Sequence, residues 1–355
     1  MIIHFSTLHS PQSTRIYHKY IKATNEISAY KAVYFCGGKS DLKFCENVEK
    51  ISQYSGGRIK DRLWNLLVGV KKIISIKPKY VQIHDPELLV SAPFFRIFGI
   101  AVIYDSHENF PSQFTSHNKK YKYLKPLIKF LEDLLVKGFI NYVVAATDEI
   151  YDRFSAFHKK VYLIENGPRK KPDIVNCKKE NDFCYAGLIA PNRGILEILK
   201  ALQGETFKIH ICGPFSSSEY EKKCIESDFW KSNVIYHGVL SQDEVKNIMQ
   251  TSRYGIVSLV NTENYRDSRP TKLYEYLANN SKVLVSNIPY MLEVVSNDNV
   301  GYSFNLNSQN DILNSFLKAK NDIYELSDNA IAIESFFSNV NFFDEQLKSF
   351  LSILR

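Results

Sequence analysis

From Ile2 to Ser286, short apolar and β-branched runs alternate with stretches of helical period, and this alternation constrains the chain more than any other feature. Strand, helix and strand in succession make a βαβ unit, so repetition of the pattern requires open parallel sheets covered by helices. Strands are expected at Ile2–Ser6, Ala29–Phe35, Tyr80–His84, Ala101–Tyr104, Tyr142–Ala145 and Val161–Ile164, and again at Phe183–Leu188, Phe207–Cys212, Val234–Tyr236, Tyr254–Val260 and Lys282–Ser286. At 355 residues the chain is long for one hydrophobic core, which argues for two domains. Glu165 to Lys179, ENGPRKKPDIVNCKK, holds two prolines, a glycine and a cluster of basic residues without periodicity, and reads as the linker. The expected division is residues 1–165, a linker at 166–179, residues 180–335, and a C-terminal helix at 336–355.

Composition narrows the function classes. With 45% apolar and 23% charged residues the chain is that of a folded soluble protein. Its formal charge of +7 suits an anionic ligand or an anionic membrane surface, and is too small and dispersed to argue for nucleic acid. The six cysteines, Cys36, Cys45, Cys177, Cys184, Cys212 and Cys224, form neither a CxxC pair nor metal-site spacing with histidine, and read as buried thiols of a reducing cytosol. MIIHFST lacks the basic start and small-residue cleavage site of a signal and is expected to be a strand. The best candidate for a membrane span, Pro93 to Tyr104, is too short and carries Arg96, so any membrane contact is expected to be peripheral.

The stretch Tyr254–Asn280, YGIVSLVNTENYRDSRPTKLYEYLANN, reads as a buried strand, a polar loop with Asn261, Asp267, Ser268 and Arg269, and a helix from Pro270 to Ala278. In open parallel sheets ligands sit at the carboxyl ends of strands, where helix N-termini favour anions. Lys272 and Glu275 share that helix's first turns and are suited to a phosphate and to sugar hydroxyls; the alternative is a surface ion pair. After the strand ending at Leu188, Asn192 is expected to cap a helix that Arg193 begins, and an arginine there can grip a phosphate with two parallel hydrogen bonds. Gly213-Pro214 allows a ligand close to the backbone, or makes a tight turn. His237-Gly238-Val239 exposes backbone ahead of a capping box at Ser241 and Glu244.

The first half has two histidine turns at strand ends, His84-Asp85-Pro86-Glu87 and Asp105-Ser106-His107-Glu108. Histidine beside carboxylates can orient a hydroxyl or shuttle a proton, although His84 equally suits a turn-shaping role. Lys119 to Lys137 interleaves a leucine stripe, read as core, with Lys119, Lys120, Lys122, Lys125 and Lys129, which can face anionic headgroups. Two other motifs fail. Gly38-Lys39-Ser40 lacks the leading glycine of a P-loop, since Val33 stands there, and no Gly-x-Gly-x-x-Gly follows the first strand.

Arg193 at a helix start, the basic linker, and SRPTKLYEYLA running into KVLVS resemble the retaining glycosyltransferases of family 4. STLHSPQSTRIYHK, YDSHENFP and IENGP are similar to further stretches of that family, and the resemblance covers nearly the whole chain. It implies the GT-B fold, two Rossmann-like α/β domains facing across a cleft, with C-terminal helices. It also implies that Glu275 binds the nucleotide ribose, that Arg193 and Lys272 hold the diphosphate, and that His107 lies between donor sugar and acceptor hydroxyl. Gly213, Val239, Asp267 and Ser268 complete the donor side, while His9, Arg15, His84 and Glu108 lie toward the acceptor. The chain departs from the pattern at Asp267, where a glutamate is usual, at Leu188, where many members carry arginine, and at Ser13, where aspartate is usual.

The resulting expectation is a cytoplasmic enzyme, peripheral on the inner face of the plasma membrane, that uses no metal or other cofactor. Its partners would be a nucleoside-diphosphate sugar, with uridine the base by analogy, and a lipid-linked or other glycan acceptor of O-antigen or capsule synthesis. The rivals are a nucleotide-sugar epimerase of the same architecture and a non-catalytic subunit that binds nucleotide or lipid.

Overall fold

A computed structural model describes residues 1–37, 46–51, 58–107, 109–117, 123–262, 265–266 and 268–354. The chain divides into two compact units, Met1–Lys170 with Asn341–Arg355, and Lys171–Val340.

Unit one is built on a parallel sheet of seven strands: β1 Ile2–Ser6, β2 Ala32–Cys36, β3 Val48–Lys50, β4 Tyr80–Ile83, β5 Ala101–Ser106, β6 Tyr142–Ala145 and β7 Val161–Leu163. Their order is β3-β2-β1-β4-β5-β6-β7, so the winding reverses between β1 and β4. Side chains of a strand alternate between faces, and each face here has its own apolar cluster. Ile3 and Phe5 join Ile83, Phe95 and Val136 on one face. Ile2 joins Tyr20, Ile103 and Val144 on the other, where the helix Phe343–Ile353 lays down Phe343, Leu347, Phe350 and Leu351. Arg169 fixes that helix by paired hydrogen bonds to Asp344, at 2.9 Å each, and also binds Glu26.

Unit two has six parallel strands: β8 Asn181–Ala186, β9 Ile209–Cys212, β10 Val234–Tyr236, β11 Ser252–Val257, β12 Lys282–Ser286 and β13 Gly301–Phe304. The order β10-β9-β8-β11-β12-β13 reverses between β8 and β11. Phe183, Ile209, Tyr254, Ile256 and Phe316 lie in its core. Both sheets therefore have the doubly wound parallel form, and each has a crevice beyond the strand ends where its winding reverses.

Three local readings are corrected. The helix after β8, Ile195–Ala201, is capped by Gly194 in the left-handed region at φ 64°, while Asn192 and Arg193 lie in a preceding 3-10 turn. Asn192 does not cap: it lies two residues before Gly194, its amide donates to Tyr265 Oη at 2.6 Å, and its Oδ1 is buried without a hydrogen-bond partner among the described residues. The leucine stripe of the helix Lys125–Phe139 is core only in part: Leu135 packs against the buried cluster, but Leu127, Leu131 and Leu134 are about half exposed. Beside Val136 that helix buries Glu132, which accepts from Tyr104 Oη at 2.8 Å and pairs with Arg153 at 2.8 Å.

Candidate functional site

In unit one the expected acceptor-side residues gather at the carboxyl ends of β1, β4 and β5. Immediately after β1 the chain turns around the buried Asp85 carboxylate, which accepts from Thr7 N–H at 2.5 Å, Ser6 Oγ at 2.9 Å and Leu8 N–H at 3.2 Å. This anchor places His9, whose Nε2 lies 3.5 Å from Asp85 and whose side chain remains 35% exposed. The His107 ring is 5.4 Å from that of His9 and is 21% exposed. These two imidazoles are therefore the groups that the strand ends present to a ligand.

Beneath them lies a buried polar network centred on Asp105. Arg15 donates to both carboxylate oxygens, Nε at 3.0 Å and an Nη at 2.7 Å, and its guanidinium also reaches the Ile164 carbonyl at 3.2 Å. Tyr20 Oη donates to Asp105 at 3.0 Å, His84 Nδ1 lies 2.9 Å from it, and His84 Nε2 lies 3.0 Å from His4 Nδ1. Burial alone would raise Asp105, but the Arg15 charge and the His84 and Arg15 hydrogen bonds hold it well below the ordinary carboxylate value. Arg15 and His84 are both buried, so the structure places them in this support and not at the surface. Burial, opposed by Asp105, holds His107 at about 4, a neutral imidazole at ordinary pH. His107 Nδ1 is buried 3.9 Å from Asp105 and has no hydrogen-bond partner among the described residues. Glu108 lies outside the described residues.

In unit two, the segments after β8, β9 and β11 are tied together. The Gly187 N–H donates to the Cys212 carbonyl at 2.9 Å, and Gly213 N–H to the Gly238 carbonyl at 2.8 Å. Gly213 has φ 133°, and a Cβ there would overlap the Gly187 carbonyl, so this glycine is demanded by backbone packing. Val260 N–H donates to the Asn192 carbonyl at 3.0 Å, and the Arg193 guanidinium lies 5.8 Å from the Tyr265 ring centroid. Arg193 is thereby held against the loop that follows β11.

The helix Thr271–Ala278 begins after that loop and carries Lys272 and Glu275, an ion pair at 2.5 Å with side chains 36% and 43% exposed. Tyr276 seats it: Ala186 N–H donates to the Tyr276 hydroxyl at 2.8 Å, and the ring occupies the space left by the missing side chain of Gly255. Burial raises the Cys212 thiol and the Lys272 charge lowers it, which sets Lys272 near the end of β9. Ser258, just beyond β11, buries its hydroxyl without a partner among the described residues. Ser268 is half-buried, Val239 is 73% exposed after β10, and Asp267 lies outside the described residues.

Tyr276 is a positioning residue that the motif reading passed over, and Asp105 is one that it took only as a carboxylate beside His107. Tyr276 offered a signal, an aromatic two residues before the helix ends and opposite a strand glycine. The buried role of Asp105 had none, because its partners come from distant segments. Among the described residues no group of three or more His, Cys, Asp or Glu side chains can hold a metal ion, and no helix is long and apolar enough to cross a membrane.

Two doubly wound parallel-sheet units with these strand-end constellations define the GT-B fold, and solved structures share it. Sucrose-phosphate synthase from Thermosynechococcus elongatus superposes with a TM-score of 0.75 at 12% identity, over 99% of this chain and 97% of that one. Anabaena HepE in complex with UDP gives 0.72 at 12% identity, over 99% of both chains. The lipopolysaccharide outer core galactosyltransferase WaaB gives 0.61 at 12% identity, also over 99% of both. At such identity the likeness is one of fold. No curated protein is significantly similar in sequence. Residues 168–332, nearly the span of unit two, match the family described as Glycosyl transferases group 1.

Proposed function

We propose that the protein is a retaining glycosyltransferase of family 4 that moves a hexosyl unit from a nucleoside-diphosphate sugar, with UDP as carrier, to a lipid-linked or other glycan acceptor. The observation that carries this reading is that Arg193 is held against the loop after β11, and the helix that follows this loop carries Lys272 and Glu275, all within the residues that match the group 1 family. Arg193 and Lys272 neutralise the diphosphate as it departs, and Glu275 fixes the ribose. The bond from the anomeric carbon to the phosphate oxygen breaks, the acceptor oxygen bonds to that carbon, and the leaving phosphate oxygen takes the acceptor's proton. His107, neutral because of burial, orients the acceptor hydroxyl by a hydrogen bond.

UDP bound to HepE and the lipopolysaccharide role of WaaB support a place in bacterial surface-polysaccharide synthesis, O-antigen or capsule, at the inner face of the plasma membrane. The reaction needs no metal in this reading, since two cations and helix N-termini meet the diphosphate. Transfer from UDP-, GDP- and dTDP-sugars to extracted lipid-linked glycan tests the proposal. Lys272→Ala and Glu275→Ala should each lower kcat/KM by about a hundredfold, with melting temperature retained. Unchanged turnover in both overturns the site assignment, and efficient epimerisation of the donor without acceptor overturns the transferase.

A further inference from the structure

The helix Lys125–Phe139 is set inside out. Its carboxylates face the protein: Glu132 is buried against Tyr104 and Arg153, and Asp133 also pairs with Arg153. Val136 is buried and Leu135 packs against the core, but one apolar stripe faces solvent, with Leu127 52%, Phe130 61%, Leu131 48% and Leu134 54% exposed. These positions recur at i, i+3, i+4 and i+7, which is one continuous stripe about 10 Å long. The neighbouring helix Ala92–Ile97 packs beside it on the same face of the sheet and adds Phe94 at 55% and Ile97 at 78% exposed. A monomer rarely leaves so many large apolar side chains together in water.

We propose that the outward faces of these two helices dock on an anionic lipid bilayer, which deepens the reading of a lipid-linked acceptor. The charges select this occupant. The exposed cations on the two helices are Arg96, Lys129 and Lys137; Glu132 is turned toward Arg153, and Asp133 is shared between Arg153 and Lys129, which lies 2.9 Å from it, so Arg96 and Lys137 are the cations left to a headgroup. Aromatic and leucine side chains enter the headgroup boundary while the cations meet phosphates, the arrangement of an interfacial amphipathic helix. A second copy of the same face would set cations against cations, and like charges oppose such pairing.

The test is flotation of the full chain with vesicles of phosphatidylcholine alone or mixed with phosphatidylglycerol, in the absence of donor and acceptor. Binding is expected only with phosphatidylglycerol. Phe130→Ser with Leu134→Ser should weaken it about tenfold, and Arg96→Gln with Lys137→Gln by a similar factor, with melting temperatures unchanged because all four side chains are exposed. Failure of the wild-type chain to float, or equal flotation of the serine variant, overturns the proposal. So does a light-scattering dimer that the serine variant abolishes while vesicles are ignored, since the occupant is then a second copy. Thermal shift with UDP on the same samples separates the two readings. A chain that floats but ignores UDP keeps this surface and loses the donor assignment, and the reverse result does the opposite.

Discussion

The histidines of unit one give the chain a pH-dependent stability whose sign follows from their burial. Burial holds His107 at about 4 and lowers His84 and His4 from the ordinary 6.5. Between those values the unfolded chain takes up protons that the folded chain refuses, so stability falls as pH drops from 6.5 toward 4. Asp105, held well below 3.8, loses its contribution only at still lower pH and in the same direction. Thermal melts from about pH 7.5 to about pH 4.5 should show Tm falling through this range, with a shallower fall in His107→Gln. An equal slope in the variant would place the proton uptake elsewhere. Residues next to a strand end were legible because the motif itself puts them there, as with His9 after β1 and His107 after β5. The inward burial of His84 and Arg15 was not, because it depends on an aspartate that lies 21 residues from His84 and 90 from Arg15 in the chain. A second residue-level consequence concerns Gly213. Gly213→Ala brings a methyl group into the Gly187 carbonyl at φ 133°, so it should cost about 3 kcal/mol or more by urea denaturation.

At the scale of elements, two helices are each tied down by one buried polar side chain, Tyr276 and Glu132. The helix Thr271–Ala278 is held to the sheet through the Tyr276 hydroxyl, and Tyr276→Phe keeps the ring over Gly255 while leaving the Ala186 N–H without its acceptor. The expected loss is about 1–3 kcal/mol in urea melts. A larger loss would mean that the ring has also shifted away from Gly255. The helix Lys125–Phe139 depends on Glu132, which burial raises and the Arg153 charge pulls back. Glu132→Ala deprives Tyr104 Oη of its acceptor and leaves Arg153 with Asp133 alone, for a cost of about 2–3 kcal/mol. The paired change Glu132→Leu with Arg153→Met should cost less than the single one, because no buried charge is left without its partner. A leucine stripe at helical spacing looks the same whether it faces a sheet or water, so periodicity alone did not separate Leu135, packed against the core, from the exposed Leu127, Leu131 and Leu134. The discriminating signal was the adjacent pair Glu132-Asp133, opposite the stripe, with an arginine in the next helix.

For the whole molecule, the alternation of strand and helix made the two parallel sheets legible, since buried parallel strands are long apolar runs that few other structures use. Two edge strands escaped it. β3 Val48–Lys50 is short with its central residue exposed, and β13 Gly301–Phe304 buries only Phe304 fully, so neither has the apolar run that marks a central strand. The grouping of Asn341–Arg355 with unit one joins the last residues of the chain to the first core, and this makes a prediction that separates the units. The helix Phe343–Ile353 and its cap bury Phe343, Leu347, Phe350, Leu351 and Leu354 in the cluster around Tyr20 and Ile164. At about 1.5–3 kcal/mol for each such side chain, their removal approaches the whole stability of a domain, about 5–15 kcal/mol. A chain ending at Val340 should therefore lose the cooperative melting of unit one, read by hydrogen exchange at β1, β4 and β5. Unit two, whose core is built from residues 183–319, should keep the protection of β8 and β11. Loss of protection in both units together would show that they unfold as a single cooperative body, and that the C-terminal helix supports the entire chain.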